Sequence, residues 1–269
     1  MTKLEEYYNK FNEDKRLESR HGQVEFAVTW HYILEAVNEI KKRFSIASDK
    51  DVKVADIGAG TGKYSIALAK DGYTVSSAEL VNYNLGILKK HAKEEELEIE
   101  AYKQDARNLK KFKSEAFDVT LLLGPMYHLH SDEDKVKALN EALRITRPGG
   151  FVLVAYVMAD YAVIRHGFMD NNIANSIQKG LLTDNYEIPS NEDELYDYVR
   201  LKDIDRINAL CDAKRHKIVA PDGPTDYIRN YLNDFNEETF KIFVDYQLKN
   251  AERAELLGAS SHTLDILIK

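Results

Sequence analysis

VADIGAGTGKYSIALAK, residues Val54–Lys70, decides how this chain is read. An apolar run broken by Asp56 meets three alternating glycines, Gly58, Gly60 and Gly62, and then a helical pattern. Glycines at a strand–helix junction let backbone approach a ligand without a Cβ in the way. Three nucleotide motifs can be tested there. A P-loop needs its first glycine where Ile57 stands and Ser or Thr where Tyr64 stands, so it fails. A dinucleotide fingerprint needs its third glycine three residues after the second, where Lys63 stands. What remains is Asp56-x-Gly58-x-Gly60-x-Gly62, with an acid two residues ahead of the first glycine.

Working outward, VKVADIG, YTVSSAE, IEAYKQ, FDVTLLLG and FVLVAYVM read as five strands between Val52 and Met158, with helical patterns between them. Continuous β-branched runs of this kind signal a parallel sheet covered on both faces. Pro148 within TRPGG, Thr146–Gly150, ends the helix carrying Leu139, Leu143 and Ile145. Upstream, Phe26, Trp30, Ile33, Leu34, Val37, Ile40 and Phe44 recur at steps of three and four, predicting an amphipathic helix over Val24–Phe44 that packs on the sheet. Before it, RLESRHGQVE reads as a polar segment hinged at Gly22. After the fifth strand, Asp160–Val199 keeps near-helical spacing at Ile164, Phe168, Ile173 and Ile177, and SNED at Ser190–Asp193 resembles a helix N-cap. A helical cap is expected there. Lys202–His216 is expected as a helix with Ile204, Ile207, Leu210 and Cys211 inside. HKIVAPDG and SHTLDILIK then read as strands flanking a helix with Phe240, Phe243, Tyr246 and Leu248. The division is an N-terminal helical segment (1–50), a ligand-binding core (51–158), a cap insertion (159–200) and the C-terminal part of the sheet (201–269).

The 269 residues carry a formal charge of −8, which disfavours a large nucleic-acid footprint. A single cysteine, Cys211, excludes an internal disulfide and a cysteine-rich zinc site, and no metal ligand set is read. MTKLEEYYNK lacks a signal-peptide core, and FVLVAYVMA is too short to span a bilayer. A cytoplasmic protein without a membrane partner is expected, as monomer or homodimer.

The glycine pattern resembles the motif of class I S-adenosylmethionine-dependent methyltransferases. Glu79 ends the second strand 21 positions after Gly58, and Asp105 follows the third, both where that family places acids. The resemblance implies an α/β fold: a three-layer, doubly wound, mostly parallel seven-stranded sheet of order 3-2-1-4-5-7-6, with strand 7 antiparallel. It implies S-adenosyl-L-methionine as cofactor and S-adenosyl-L-homocysteine as product. The cofactor-binding set it implies is Arg20, Asp56, Gly58, Ala59, Gly60, Glu79, Leu80, Asp105, Ala106 and Gly124. Asp56 would meet the ammonium, Glu79 the ribose hydroxyls, Asp105 the adenine amino group and Arg20 the carboxylate. Val81 stands where the family often has Ser or Thr.

Methyl transfer from a sulfonium needs alignment and water exclusion, and a base only when the acceptor must lose a proton. Candidates for that work are Tyr127 and His128 after the fourth strand, and His21 near the N-terminus. His130, beside SDED, reads as exposed, and as structural or inert. Gly124-Pro125-Met126-Tyr127 replaces the Asn/Asp-Pro-Pro-aromatic run of DNA and glutamine amino-methyltransferases, which counts against adenine, cytosine-amino or glutamine acceptors. Asp222 reads as a turn residue or a pocket wall. The favoured reading is transfer to a small molecule, with the cap as acceptor lid. The alternatives are an RNA or protein methyltransferase and a non-catalytic S-adenosylmethionine-binding protein.

Overall fold

The computed structural model describes residues 3–10, 17–211 and 213–269. Met1, Thr2, Arg16 of the expected hinge segment and Asp212 of the expected Lys202–His216 helix lie outside them.

Seven strands form one sheet: β1 Lys53–Ile57, β2 Thr74–Glu79, β3 Ile99–Lys103, β4 Phe117–Leu122, β5 Thr146–Val157, β6 Lys214–Val219 and β7 His262–Ile268. Their order is β3-β2-β1-β4-β5-β7-β6, and β7 runs antiparallel to both its neighbours. This is the topology the sequence resemblance implies. The remaining pairs are parallel, with Val54 opposite both Val75 and Val119. Order reverses between β1 and β4, so the crevice outside their carboxyl ends is the place for a ligand.

Period-two alternation sends each strand's side chains to two cores. Val54, Val119, Leu121, Phe151 and Leu153 face α2 (Arg20–Arg43), α3 (Lys63–Lys70) and α10 (Glu237–Asn250). Ala55, Ile57, Leu122, Val152 and Val154 face α5 (Asp132–Ile145) and α8 (Leu201–Leu210). α4 (Asn82–Glu94) follows β2 and packs against β3. A one-residue register slip would exchange the two sets, which is why runs buried on both faces still specify register.

The N-terminal region departs from expectation. The long helix begins at Arg20, not Val24, because the Ser19 hydroxyl accepts the Gly22 N–H at 3.2 Å and caps it. Gly22 is therefore a buried helical residue rather than a hinge. A further short helix, α1 (Lys3–Tyr8), precedes it. The cap is helical only in its first half: α6 (Ala159–Ala162), a π-helical turn (Val163–Met169) and α7 (Ile173–Gln178). Ile164, Phe168 and Ile177 are 40%, 56% and 51% exposed, so their spacing marks a solvent face. SNED forms an Asx turn, with the Asp193 N–H donating to Asn191 Oδ1 at 2.9 Å, and caps no helix. α8 ends at Leu210, which is exposed, because the chain must turn into β6 at Lys214. α9 (Arg229–Asp234) and α11 (Ala254–Leu257) complete the C-terminal part. Among the described residues no helix is long and apolar enough to cross a membrane.

The three motif glycines have φ of 72°, 57° and 93°, so an L side chain at any of them is strained. A Cβ at Gly58 would also stand 2.6 Å from Pro125 Cδ, and one at Gly62 2.7 Å from Leu88 Cγ. Close approach at these two positions is to the protein's own loop and helix. Gly58→Ala is expected to destabilise the fold by about 1–3 kcal/mol more than Gly180→Ala. Gly180 shares a positive φ of 68° but would place its Cβ in open space. Denaturant unfolding of the two variants measures the Pro125 contact alone.

Candidate active site

A cavity of about 600 Å³ opens at the carboxyl ends of β1, β2 and β4. Its size lies within the usual range for small-ligand sites. Eleven of the thirteen residues expected at the site line it: Asp56, Gly58, Ala59, Gly60, Glu79, Leu80, Asp105, Ala106, Gly124, Tyr127 and His128. Arg20 and His21 do not. Arg20 lies in α2, bonds Glu237 at 2.6 Å and lies over the Phe240 ring. The same helix turns His21 toward Asp226, 4.0 Å away. Extending the helix back to Ser19 is what removed both from the cavity. The N-terminal cover is made instead by Leu4 and Tyr8 of α1 and by Leu17.

Glu79 joins two loops. Its Oε2 accepts the Gly60 N–H at 2.8 Å and its Oε1 the Val81 N–H at 2.7 Å. Burial pushes its pKa up, while those two bonds pull it down. Each carboxylate oxygen offers further lone-pair sites, so the group can still accept hydroxyls from a ligand. Asp56 is buried, and burial raises its pKa to about 6 although the Ser65 hydroxyl donates to it at 2.5 Å. Ser65 in turn meets Ser77 at 2.8 Å, so a chain of hydroxyls from α3 and β2 holds the carboxylate.

Asp105 differs from expectation. Its oxygens accept the Arg107 backbone N–H at 2.8 Å and its side chain at 3.0 and 2.6 Å. Burial raises the Asp105 pKa, but Arg107 outweighs it and the net shift is downward. Arg107 also bonds Asp134 at 2.5 Å. Asp105 thus stays on the wall as one half of an ion pair, with Arg107 shared between two acids.

Two residues that the sequence did not single out carry orphaned polar atoms. Oδ1 of Asn84, in α4, and Nε2 of Gln104, after β3, are buried without a hydrogen-bond partner among the described residues. Both side chains line the cavity. A buried polar atom left unmade costs about 1–3 kcal/mol, and a polar ligand here relieves that cost. Gln104 sits directly before Asp105 in YKQDAR, which was the available signal; Asn84 in VNYNL offered none.

At the far wall, His128 packs among aromatic rings. Tyr127, Tyr8 and Tyr196 have ring centres 4.8, 5.6 and 5.3 Å away. Its Nδ1 lies 3.0 Å from the Leu195 carbonyl and its Nε2 2.9 Å from the Tyr8 hydroxyl. A carbonyl only accepts, so Nδ1 carries the proton and Nε2 accepts from Tyr8. Burial lowers the His128 pKa to about 4, against a smaller opposing effect of the Leu195 bond. The expected base near neutral pH is therefore a neutral, weakly basic imidazole. His130, expected to be exposed, is instead only 14% exposed on the cavity wall, with Nδ1 3.8 Å from Asp197.

The methyltransferase-domain family model matches residues 54–150, the span from β1 to the start of β5. That likeness agrees with the glycine-loop motif and with the observed sheet order. A ubiquinone biosynthesis O-methyltransferase of Pseudomonas entomophila is 30% identical over 121 residues, 45% of this chain and 50% of that protein. The chain thus matches about half the length of such curated relatives. Two solved structures share the fold. One is an S-adenosylmethionine-dependent methyltransferase of Methanosarcina mazei, with TM-score 0.55 and 13% identity over 84% of this chain and 95% of that one. The other is a geranyl diphosphate C-methyltransferase of Streptomyces coelicolor bound to S-adenosyl-L-homocysteine, with TM-score 0.52 and 13% identity over 88% and 80%. The residues suit S-adenosylmethionine as a ligand: orphaned amide atoms, a buried acceptor carboxylate and a glycine loop that is not a P-loop.

His128 gives this site a pH signature. An unfolded histidine takes up its proton near pH 6.5 while the native one waits until about 4. Between those values the unfolded state binds more protons, so native stability falls as pH falls through this window. Asp56 acts oppositely, because its raised pKa makes the native state the better proton binder between about 4 and 6. Comparing the native chain with His128→Asn isolates the histidine, since both contain Asp56. The variant is expected to lose up to about 2–3 kcal/mol of that acid-side decline, read by denaturant unfolding at a series of pH values.

Proposed function

We propose that the protein moves a methyl group from S-adenosyl-L-methionine to a small organic acceptor by in-line displacement, leaving S-adenosyl-L-homocysteine. The observation that carries the reading is the Glu79 carboxylate, fixed by Gly60 and Val81 on the floor of a cavity with no phosphate cradle. The cofactor supplies an already activated methyl, so the protein's work is to hold, align and keep water out.

The division of labour follows from the walls. Glu79 accepts ribose hydroxyls. Asp56 attracts the ammonium, and a cation beside it would draw its raised pKa back down. Gly58, Ala59 and Gly60 supply backbone, while Leu80, Ala106 and Gly124 offer surfaces without charge. Asp105, Gln104 and Asn84 offer polar groups for the base. Arg20 and His21 have no part in this site, since α2 holds them elsewhere.

Tyr127 and His128 form the acceptor wall. With a pKa of about 4 and Nε2 engaged by Tyr8, His128 orients a partner better than it removes a proton. Support for a small acceptor comes from the cover of Leu4, Tyr8 and Leu17 and from the cavity's cations. Among the described residues Arg107 is committed to Asp105 and Asp134, leaving Lys63, too little for a nucleic-acid groove. The name of the Pseudomonas relative, an O-methyltransferase of ubiquinone biosynthesis, also favours a small organic substrate.

Calorimetry with S-adenosyl-L-homocysteine tests the reading directly. Glu79→Gln should weaken binding at least about tenfold, because a carboxamide can accept from only one of two N–H groups and turns its own NH2 toward the other. Absence of binding by the native chain, or equal binding by the variant, would overturn the assignment. Incubation with the labelled methyl donor should label members of a small-metabolite panel and leave total tRNA unlabelled.

A further inference from the structure

His130 stands between the Pro125–His128 turn and α5, on the cavity wall. Of its two ring nitrogens, only Nδ1 is buried without a hydrogen-bond partner among the described residues. The accessible edge of the ring is therefore the one that carries Nε2. Nδ1 faces Asp197, in the last part of the cap, whose Oδ1 is 3.8 Å away. Asp197 is itself fixed. Its Oδ2 accepts from Lys135 Nζ at 2.6 Å, with both side chains buried, and its backbone N–H donates to the Tyr127 carbonyl at 2.9 Å. The Ser190 hydroxyl donates to the His130 carbonyl at 2.8 Å, so the cap holds this loop at a second point.

At 3.8 Å the Nδ1–Asp197 contact is too long for a hydrogen bond. Charge nonetheless sets its sense. A carboxylate only accepts, so the favoured tautomer places the ring proton on Nδ1, toward Asp197, and leaves the lone pair on Nε2. Lys135 spares Asp197 from being an isolated buried charge, while Oδ1 remains available to the ring. A ring that gained a second proton would become a cation facing an acid, and the contact would tighten. Catalytic hydrogen bonds are often long before the substrate arrives and shorten in the complex. His128, by contrast, has both nitrogens engaged, by the Leu195 carbonyl and the Tyr8 hydroxyl. Asp134, on the same cavity wall, is paired with Arg107.

We propose that His130 is the general base for an acceptor hydroxyl, with Asp197 as its positioning residue, and that the acceptor is a phenol. The assignment rests on the methyl-transfer reading above. Tyr8, Tyr127 and His128 on the cavity wall suit a planar ring. In the step, the acceptor oxygen bonds to the methyl carbon as the carbon–sulfur bond breaks, leaving its electron pair on sulfur. The hydroxyl proton passes to Nε2 of His130, and the imidazolium later gives it to water. The competing account is a histidine that only fills the corner between the strand exit and the cap.

Three measurements on the full chain separate the two. Nitrogen-15 NMR, assigned by comparison with His130→Ala, should find the neutral His130 ring protonated on Nδ1; a proton on Nε2 would overturn the proposal. Calorimetry with S-adenosyl-L-homocysteine should give the same affinity for the native chain, for His130→Ala and for His31→Gln, a histidine in an exposed pair with Glu35. With the labelled methyl donor and catechol or 3,4-dihydroxybenzoate as acceptor, His130→Ala should lower kcat about 100-fold or more, the usual contribution of a positioned base. The KM for the donor should not move, and added imidazole should restore part of the lost rate. Cooperative thermal unfolding confirms that the variant is folded. No binding of S-adenosyl-L-homocysteine by the native chain would defeat the methyl-transfer reading itself, and this assignment with it. Binding with transfer to neither phenol, equal kcat in a folded His130→Ala, or a slow variant that imidazole does not help would leave that reading standing and overturn the role of His130.

Discussion

A carboxylate accepting two backbone N–H groups holds this site together. Glu79 closes β2, yet its bonds reach Gly60 after β1 and Val81 at the head of α4, so two neighbouring loops share one anchor. No side-chain cation holds it: backbone dipoles offset part of the cost of burial, and unlike a lysine or arginine they cannot swing away. The anchor also holds the N–H of the middle glycine, whose φ of 57° is left-handed, against the acid. The carboxylate is positioned before any ligand arrives, which reduces the ordering that binding must accomplish.

How much of this was legible depended on the range of the interaction. β-branched runs are local, so five strands and the helices between them could be read from Val52 onward, while the sheet order and the cofactor-binding residues came from the motif resemblance. Eleven of the expected residues meet because strand ends in a doubly wound sheet converge on one crevice. The failures involve partners far away in sequence. Gly58 lines the cavity as expected, but the space where its Cβ would stand is taken by Pro125, on the neighbouring strand's exit. Gly22 looked like a hinge, whereas Ser19 and the buried face of α2 hold it in helix. Glycine's intrinsic freedom is symmetrical between these outcomes, and only tertiary contacts choose. The exposed cap is a third case: Ile164, Phe168 and Ile177 have helical spacing without a surface to bury against.

Charge divides the cavity into two unlike ends. Asp56 and Glu79 sit at the glycine loop, where burial raises both pKa values and leaves them ready to be neutralised by a cationic or hydroxyl-rich ligand. The opposite wall has Tyr8, Tyr127 and a histidine kept uncharged by the same burial. Identical desolvation thus produces acids that hold their protons too tightly and a base that holds its proton too weakly, because burial always penalises the charged form. A cation or added hydrogen-bond donors ease the first condition, and nothing charged is needed for the second.

That asymmetry bears on what the far wall can do. An imidazole titrating near 4 is poorly matched to proton abstraction at neutral pH, where the best base has a pKa close to the medium. Its two hydrogen bonds, to the Leu195 carbonyl and from the Tyr8 hydroxyl, instead fix the ring's tautomer and plane. Leu195 belongs to the cap and Tyr8 to the N-terminal helix, so one side chain after β4 is bound to both covers of the cavity. Opening either cover would break a buried hydrogen bond to His128 and hydrate its ring, restoring its ordinary basicity. The histidine's low pKa is therefore a property of the closed site, and its enclosure follows from the two segments that wrap the strand ends.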